Sequence, residues 1–166
     1  MLKIALYIWI AFIISAAFYA RQALECARDL LGGSATSLLM WSAFPAFLLV
    51  LFTCKSHSKR ERALTLLLFA VGLGYAFSFE RQEETMHLVK YGILGWLLAA
   101  NEFEKLGWKC LAAAALLGCT VSSFDETVQF ALPYRVGDLR DVLFGVLGSA
   151  WGALIYGVSR RHHAIP

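Results

Sequence analysis

Two short segments hold most of the side chains in this 166-residue chain that could do chemistry. The first ends at Tyr91 and contains Glu84, His87 and Lys90. Glu84, His87 and Tyr91 follow helical spacing, so on a helix they share one face, with Lys90 at its edge. The second reads Asp125-Glu126-Thr-Val-Gln129, then Pro133, Arg135, Asp138, Arg140 and Asp141. Gln129 shares a helix face with both Asp125 and Glu126, and Asp138 and Asp141 pair in the same way at the start of a later helix. Pro133 must interrupt any helix continuing from Gln129, so the chain is expected to turn there.

A histidine beside carboxylates can take up and return protons, which makes His87, Asp125 and Glu126 the candidate catalytic residues. Glu84, Tyr91, Gln129, Arg135, Asp138 and Asp141 are the candidate binding residues. Arg135, with Arg140 and Lys90 in support, can pair with a phosphate, while the others orient or polarise a polar group. His87 with Asp125, Glu126 or Asp141 could instead hold a divalent metal, but no HExxH or comparable tight ligand spacing occurs, so no metal or other cofactor is expected. The same residues have a plainer reading. Asp138 and Asp141 sit where a helix N-terminus favours negative charge, and Arg135 and Arg140 can pair with the nearby carboxylates in a purely structural network.

The elements that position these residues are membrane helices. The chain is 59% hydrophobic and only 16% charged, outside the range of soluble domains. Apolar runs long enough to cross a bilayer follow one another: about Ile4–Ala20, Ser37–Cys54, Ala63–Phe79, Thr85–Ala100, Trp108–Phe124 and Leu139–Val158. The expected fold is therefore all-α, a polytopic bundle of about six transmembrane helices. Pro45 should kink the second span, and the polar stretch Arg21–Gly33 has the spacing of a short helix lying at the interface. With both termini cytoplasmic, Lys3, Lys55, Lys59, Arg60, Arg62, Lys105, Lys109, Arg160 and Arg161 fall inside, against Arg21, Arg28, Arg81, Lys90, Arg135 and Arg140 outside. That is the direction the positive-inside rule favours. Most of the acidic residues fall outside, so the chemical residues gather at the outer face.

Asp141, Gly145, Gly148 and Gly152 form one stripe on the last helix, a small-residue seam that lets backbones approach closely in lipid. Cys26, Cys54, Cys110 and Cys119 make no CxxC pair, which leaves a zinc or redox motif without support. The small net charge of +3 is spread as short clusters between apolar runs. A nucleic-acid partner is therefore not expected.

At these residues the sequence resembles the VanZ-like membrane family. The family's His and Tyr one helical turn apart are matched by His87 and Tyr91, with Gly95 and Leu98 continuing the run. Its second element is matched by Asp125, Glu126, Gln129, Pro133, Arg135, Asp141, Gly148 and Gly152. Tyr134 and Gly145 stand where the family commonly has Gly and Asn. The matched region runs from Glu84 to Tyr156, with the first three spans outside it. The expected organisation is then a three-helix membrane region over residues 1–83, a VanZ-like three-helix region over 84–158 and a basic cytoplasmic tail over 159–166. The resemblance implies a bacterial inner-membrane protein connected with the cell envelope. The family takes its name from a protein linked to teicoplanin resistance, and no enzyme class follows from it. The expected partner is a membrane lipid or lipid-linked envelope intermediate whose head group the outward pocket binds or processes. The competing expectation is a non-catalytic assembly or scaffold subunit whose charged cluster is structural.

Overall fold

A computed structural model describes residues 2–45, 47, 58–77, 82–133 and 137–159, the side chains of residues 82 and 83 excepted. Among these residues the fold is entirely helical. It comprises α1 (Leu2–Leu31), α2 (Gly33–Trp41), α3 (Lys59–Ala76), α4 (Gln82–Leu106), a 3-10 turn (Gly107–Lys109), α5 (Cys110–Ala131) and α6 (Leu139–Ser159).

Helix α1 is longer than its apolar run requires. The polar stretch expected to form a separate interfacial helix continues α1 without a break to Leu31. Residues 21–31 contain no Gly or Pro, and Arg21 and Glu25 pair one turn apart at 3.0 Å, so nothing stops the helix. Gly32, at φ +80, does stop it, a conformation open to glycine and strained for other residues. Helix α3 opens with a capping box. Ser58 Oγ accepts from Glu61 N at 3.2 Å and Glu61 Oε2 accepts from Ser58 N at 2.9 Å, which satisfies donors the first turn leaves open.

By length and composition three helical stretches can cross a membrane: Leu2–Leu31, Glu84–Ala131 and Leu139–Ser159. The middle one is two legs, α4 and α5, folded at Gly107, whose φ of +54 allows the turn. The expected third span, Ala63–Phe79, runs past the described residues, which end at Phe77, and Lys59, Arg60, Glu61 and Arg62 occupy the first turn of α3 ahead of it. Of the expected second span, Ser37–Cys54, residues 37–45 and 47 are described and the remainder lies outside the described residues.

Helix α6 fills the groove between α4 and α5, and glycines make the fit possible. A Cβ on Gly148 would stand 2.7 Å from the Leu88 carbonyl of α4, and one on Gly152 would run into the Gly92 carbonyl. Gly145 faces the other way, where a Cβ would stand 2.5 Å from Ser122 of α5. The stripe thus divides between two neighbours. Ser149 is fully buried between Gly95 and Gly118 and donates to the Tyr91 carbonyl at 3.2 Å. Helix α1 packs on α4 and α5, and α3 packs on α6. Trp151 Nε1 of α6 donates to the Leu68 carbonyl of α3 at 3.0 Å. Large apolar side chains face outward from every helix, Leu30, Leu38, Leu116, Phe130 and Leu139 among them, as lipid-facing surfaces do and water-facing ones rarely do.

The bundle has two unlike ends. At one, Lys3 lies 4.0 Å from Glu102, Gly157 packs on Trp108 and Phe103, and Leu64 meets Trp108 and Val158 around a shallow groove. The starts of α1 and α3, the α4–α5 turn and the end of α6 therefore gather there, with Lys59, Arg60, Arg62, Lys105 and Lys109. The other end carries the carboxylates.

Candidate functional site

The site is built by the first turns of α4, the last turns of α5 and the first turn of α6. α5 continues past Gln129 to Ala131, and Leu132 then turns extended at φ −92 and ψ 129, just ahead of Pro133. This is the interruption expected at the proline, and it keeps Asp125, Glu126 and Gln129 on one helical face, all of them buried.

Asp125 is 1% exposed and is held from several directions. Lys90 Nζ donates to its Oδ2 at 2.8 Å and the Tyr91 hydroxyl donates to the same oxygen at 3.1 Å. Gln129 Nε2 donates to Asp125 Oδ1 at 3.1 Å and to Glu126 Oε1 at 2.9 Å. One amide thus aligns two neighbouring carboxylates. Glu126 Oε2 accepts from the Asp138 backbone N–H at 2.8 Å, tying the end of α5 to the chain entering α6. Asp138 then caps α6, its Oδ1 accepting from Arg140 N at 2.9 Å.

His87 stands at the centre. Its ring lies against Tyr91, with centroids 6.1 Å apart and planes inclined by 16°. Its Nε2 lies 3.8 Å from Asp141 Oδ2, 3.9 Å from Glu126 Oε1 and 4.0 Å from Asp125 Oδ2. Carboxylates from two helices therefore converge on one imidazole nitrogen. Lys90 is the cation paired with them among the described residues, and it also lies 4.9 Å from the centre of the Tyr91 ring. Buried charges of one sign persist only where partners offset their lost hydration, and here hydrogen bonds from Gln129, Tyr91 and Asp138 share that work with Lys90.

His87, Tyr91, Asp125, Glu126, Gln129 and Asp141 are thus brought together. Asp138 joins them through its backbone and spends its side chain on the helix cap. Glu84 is half-buried one turn before His87 and has no hydrogen bond or ion pair among the described residues. Arg135 lies outside the described residues. Arg140 was expected to pair with a carboxylate, but it is exposed and contributes only its backbone N–H.

The pattern of residue types understated two contributions. Lys90 reads as an edge residue by spacing, yet a lysine stem is long enough to fold back over Tyr91 and reach Asp125. Helix α1 carries no candidate residue, yet Trp9 Nε1 donates to the Lys90 carbonyl at 2.9 Å. Thr85 Oγ1 likewise donates to the Ala76 carbonyl at 3.2 Å, fastening the start of α4 to the end of α3. Nothing in the local sequence identifies such partners, because they are set by packing between distant helices.

Membrane-compatible helices enclosing a histidine–carboxylate cluster at one end of the bundle define a class of helical membrane protein with a polar site. Comparison with known proteins makes this specific: a model of the VanZ/LLP1 family matches residues 2–160, and the chain belongs to that family. The match extends the resemblance, first confined to residues from Glu84 onward, over nearly the whole chain. No curated protein and no solved structure matches.

Proposed function

We propose that the protein is a multi-pass component of the bacterial inner membrane, with both termini cytoplasmic, whose cluster faces the outer leaflet and binds or processes the head group of an envelope lipid or lipid-linked intermediate. The observation that carries this reading is the placement of His87, Asp125, Glu126 and Asp141 together at the end of the bundle opposite Lys3, Lys59, Arg60, Arg62, Lys105 and Lys109. Basic residues favour the cytoplasmic side, which supports an outward cluster and about six crossings once the residues before and within α3 are counted. Ionisable residues gathered inside a helical bundle are costly to insert and commonly mark function. In this scheme residues 84–158 carry the site, residues 1–83 brace it, and the basic residues of 159–166 anchor the end. Arg135 would meet a phosphate, and His87 would act on protons beside Asp125 and Glu126. Family membership supports a link to glycopeptide sensitivity. A photo-crosslinkable phospholipid in native membranes should label α4–α6 near the cluster more strongly than the cytoplasmic half of α1. Equal labelling of both would contradict the reading.

One observation favours a second reading. Lys90, Tyr91, Gln129 and the Asp138 N–H already satisfy much of the cluster internally, as a structural network in a scaffold subunit would require. In that case substitutions at His87 or Gln129 lower protein stability and change no phenotype in protein that still accumulates.

A further inference from the structure

We propose that this cluster is a divalent-cation site, with His87 Nε2 and one oxygen each of Asp125 and Glu126 as ligands and Asp141 as a fourth ligand within reach. The donor atoms of His87, Asp125 and Glu126 all lie within 4.8 Å of one another. From His87 Nε2 the three carboxylate oxygens stand at 3.8, 3.9 and 4.0 Å. Those separations exceed hydrogen-bonding distance. A cation bound at about 2.1 Å would set neighbouring ligand atoms about 3.0–3.4 Å apart, so closure of the set needs a shift of up to about an ångström per ligand.

Charge supports the same assignment. Asp125, Glu126 and Asp141 carry three negative charges when ionised, and Lys90 offsets one of them. With His87 neutral, as a metal ligand must be, the described cluster is left at −2. A divalent cation balances it. Arg135 is the competing source of positive charge, and the experiment below separates the two.

The surroundings are those of a supported ligand set. Metal-binding carboxylates and imidazoles are held by outer hydrogen bonds that fix their orientation. Here Gln129 orients Asp125 and Glu126 with a single nitrogen, Asp138 N holds the second Glu126 oxygen, and Tyr91 both packs on the His87 ring and donates to Asp125. A carboxylate oxygen accepts two hydrogen bonds or one bond and a metal. Asp125 Oδ1 and Glu126 Oε1, each with one bond from Gln129, therefore keep a lone pair for a cation, while Asp125 Oδ2 is filled by Lys90 and Tyr91. One imidazole with several carboxylates suits Mn²⁺ or Zn²⁺. The cation does not depend on the head-group reading. If that reading holds, the ion supplies what allows a phosphate to approach a site lined with carboxylates.

The test is Mn²⁺ binding to the full chain in detergent, stripped with chelator, without a histidine tag, and with His57, His162 and His163 replaced by Ala so that His87 is the one imidazole left. One ion per chain is expected, with spin-echo modulation from a coordinated imidazole nitrogen. His87→Ala should abolish that modulation, and Glu126→Gln should weaken Mn²⁺ at least ten-fold while thermal unfolding of the metal-free protein shows that each variant folds. Gln129→Leu should weaken binding about 10–100-fold as an orienting residue. Arg135→Ala should leave binding intact or strengthen it. The absence of saturable binding, or binding that neither His87→Ala nor Glu126→Gln weakens ten-fold, overturns the proposal. Binding that passes this test in protein that fails the lipid-crosslinking test would retain the cation and discard the head group.

Discussion

Asp125 and Lys90 form the tightest charged contact of the site, 2.8 Å between Nζ and Oδ2, with the carboxylate 1% exposed. Removing one partner of such a pair leaves the other buried without its counter-charge. Lys90→Met should therefore destabilise the protein by about 3–5 kcal/mol. The double variant Lys90→Met with Asp125→Asn should recover part of that loss, because it removes the orphaned charge as well. Unfolding in mixed micelles measures both, and a double variant no more stable than the single one would contradict the pairing. Residue types and spacing made Glu84, His87 and Tyr91 legible as one face and Asp125, Glu126 and Gln129 as another. They did not reveal that Gln129 would spend one amide on two carboxylates, or that Asp138 would cap a helix while its backbone held Glu126. Those roles depend on a side-chain rotamer and on the angle at which the chain enters α6, neither of which spacing encodes.

At the level of elements the glycine seam gives a sharp contrast. Gly152 meets the Gly92 backbone, whereas a Cβ at Gly74 in α3 meets nothing within 4 Å. Gly152→Ala should push α6 away from α4 and cause severe loss of folded protein. Gly74→Ala should be neutral or stabilising by about 0.5–1 kcal/mol, since alanine restricts the unfolded chain and favours helix. Thermal unfolding of the two variants in detergent compares them directly, and equal stability would contradict the close approach. Apolar runs placed α6 to within one residue, but α4 and α5 run six and seven residues past the expected ends at Ala100 and Phe124, because polar residues continue a helix until the chain turns at Gly107 or Pro133. The same logic misread residues 21–31. Their polarity suggested a separate interfacial helix, but polarity does not break a helix, and Gly32 does.

Across the whole molecule, the α4–α5 turn, the starts of α1 and α3 and the end of α6 share one end, and the carboxylate cluster holds the other. This arrangement predicts accessibility. Cys26 is exposed on the final turns of α1, and a membrane-impermeant maleimide should label it from outside intact cells. A cysteine at Lys59 in a background lacking Cys26 should label only after permeabilisation, and the reverse pattern would invert the topology. Charge counting already separated a basic end from an acidic one, while the bracing of the site by Trp9 of α1 emerged only from the packing. The central claim is an outward-facing functional site rather than an internal network. It is tested most directly by complementation with His87→Ala, Gln129→Ala, Arg135→Ala and Asp141→Asn, reading sensitivity to envelope-targeting antibiotics alongside the amount of protein in the membrane. Loss of complementation at normal protein levels is the result predicted here. Normal complementation by all four variants, or loss only where the protein itself disappears, would contradict the claim and leave the cluster as a structural network.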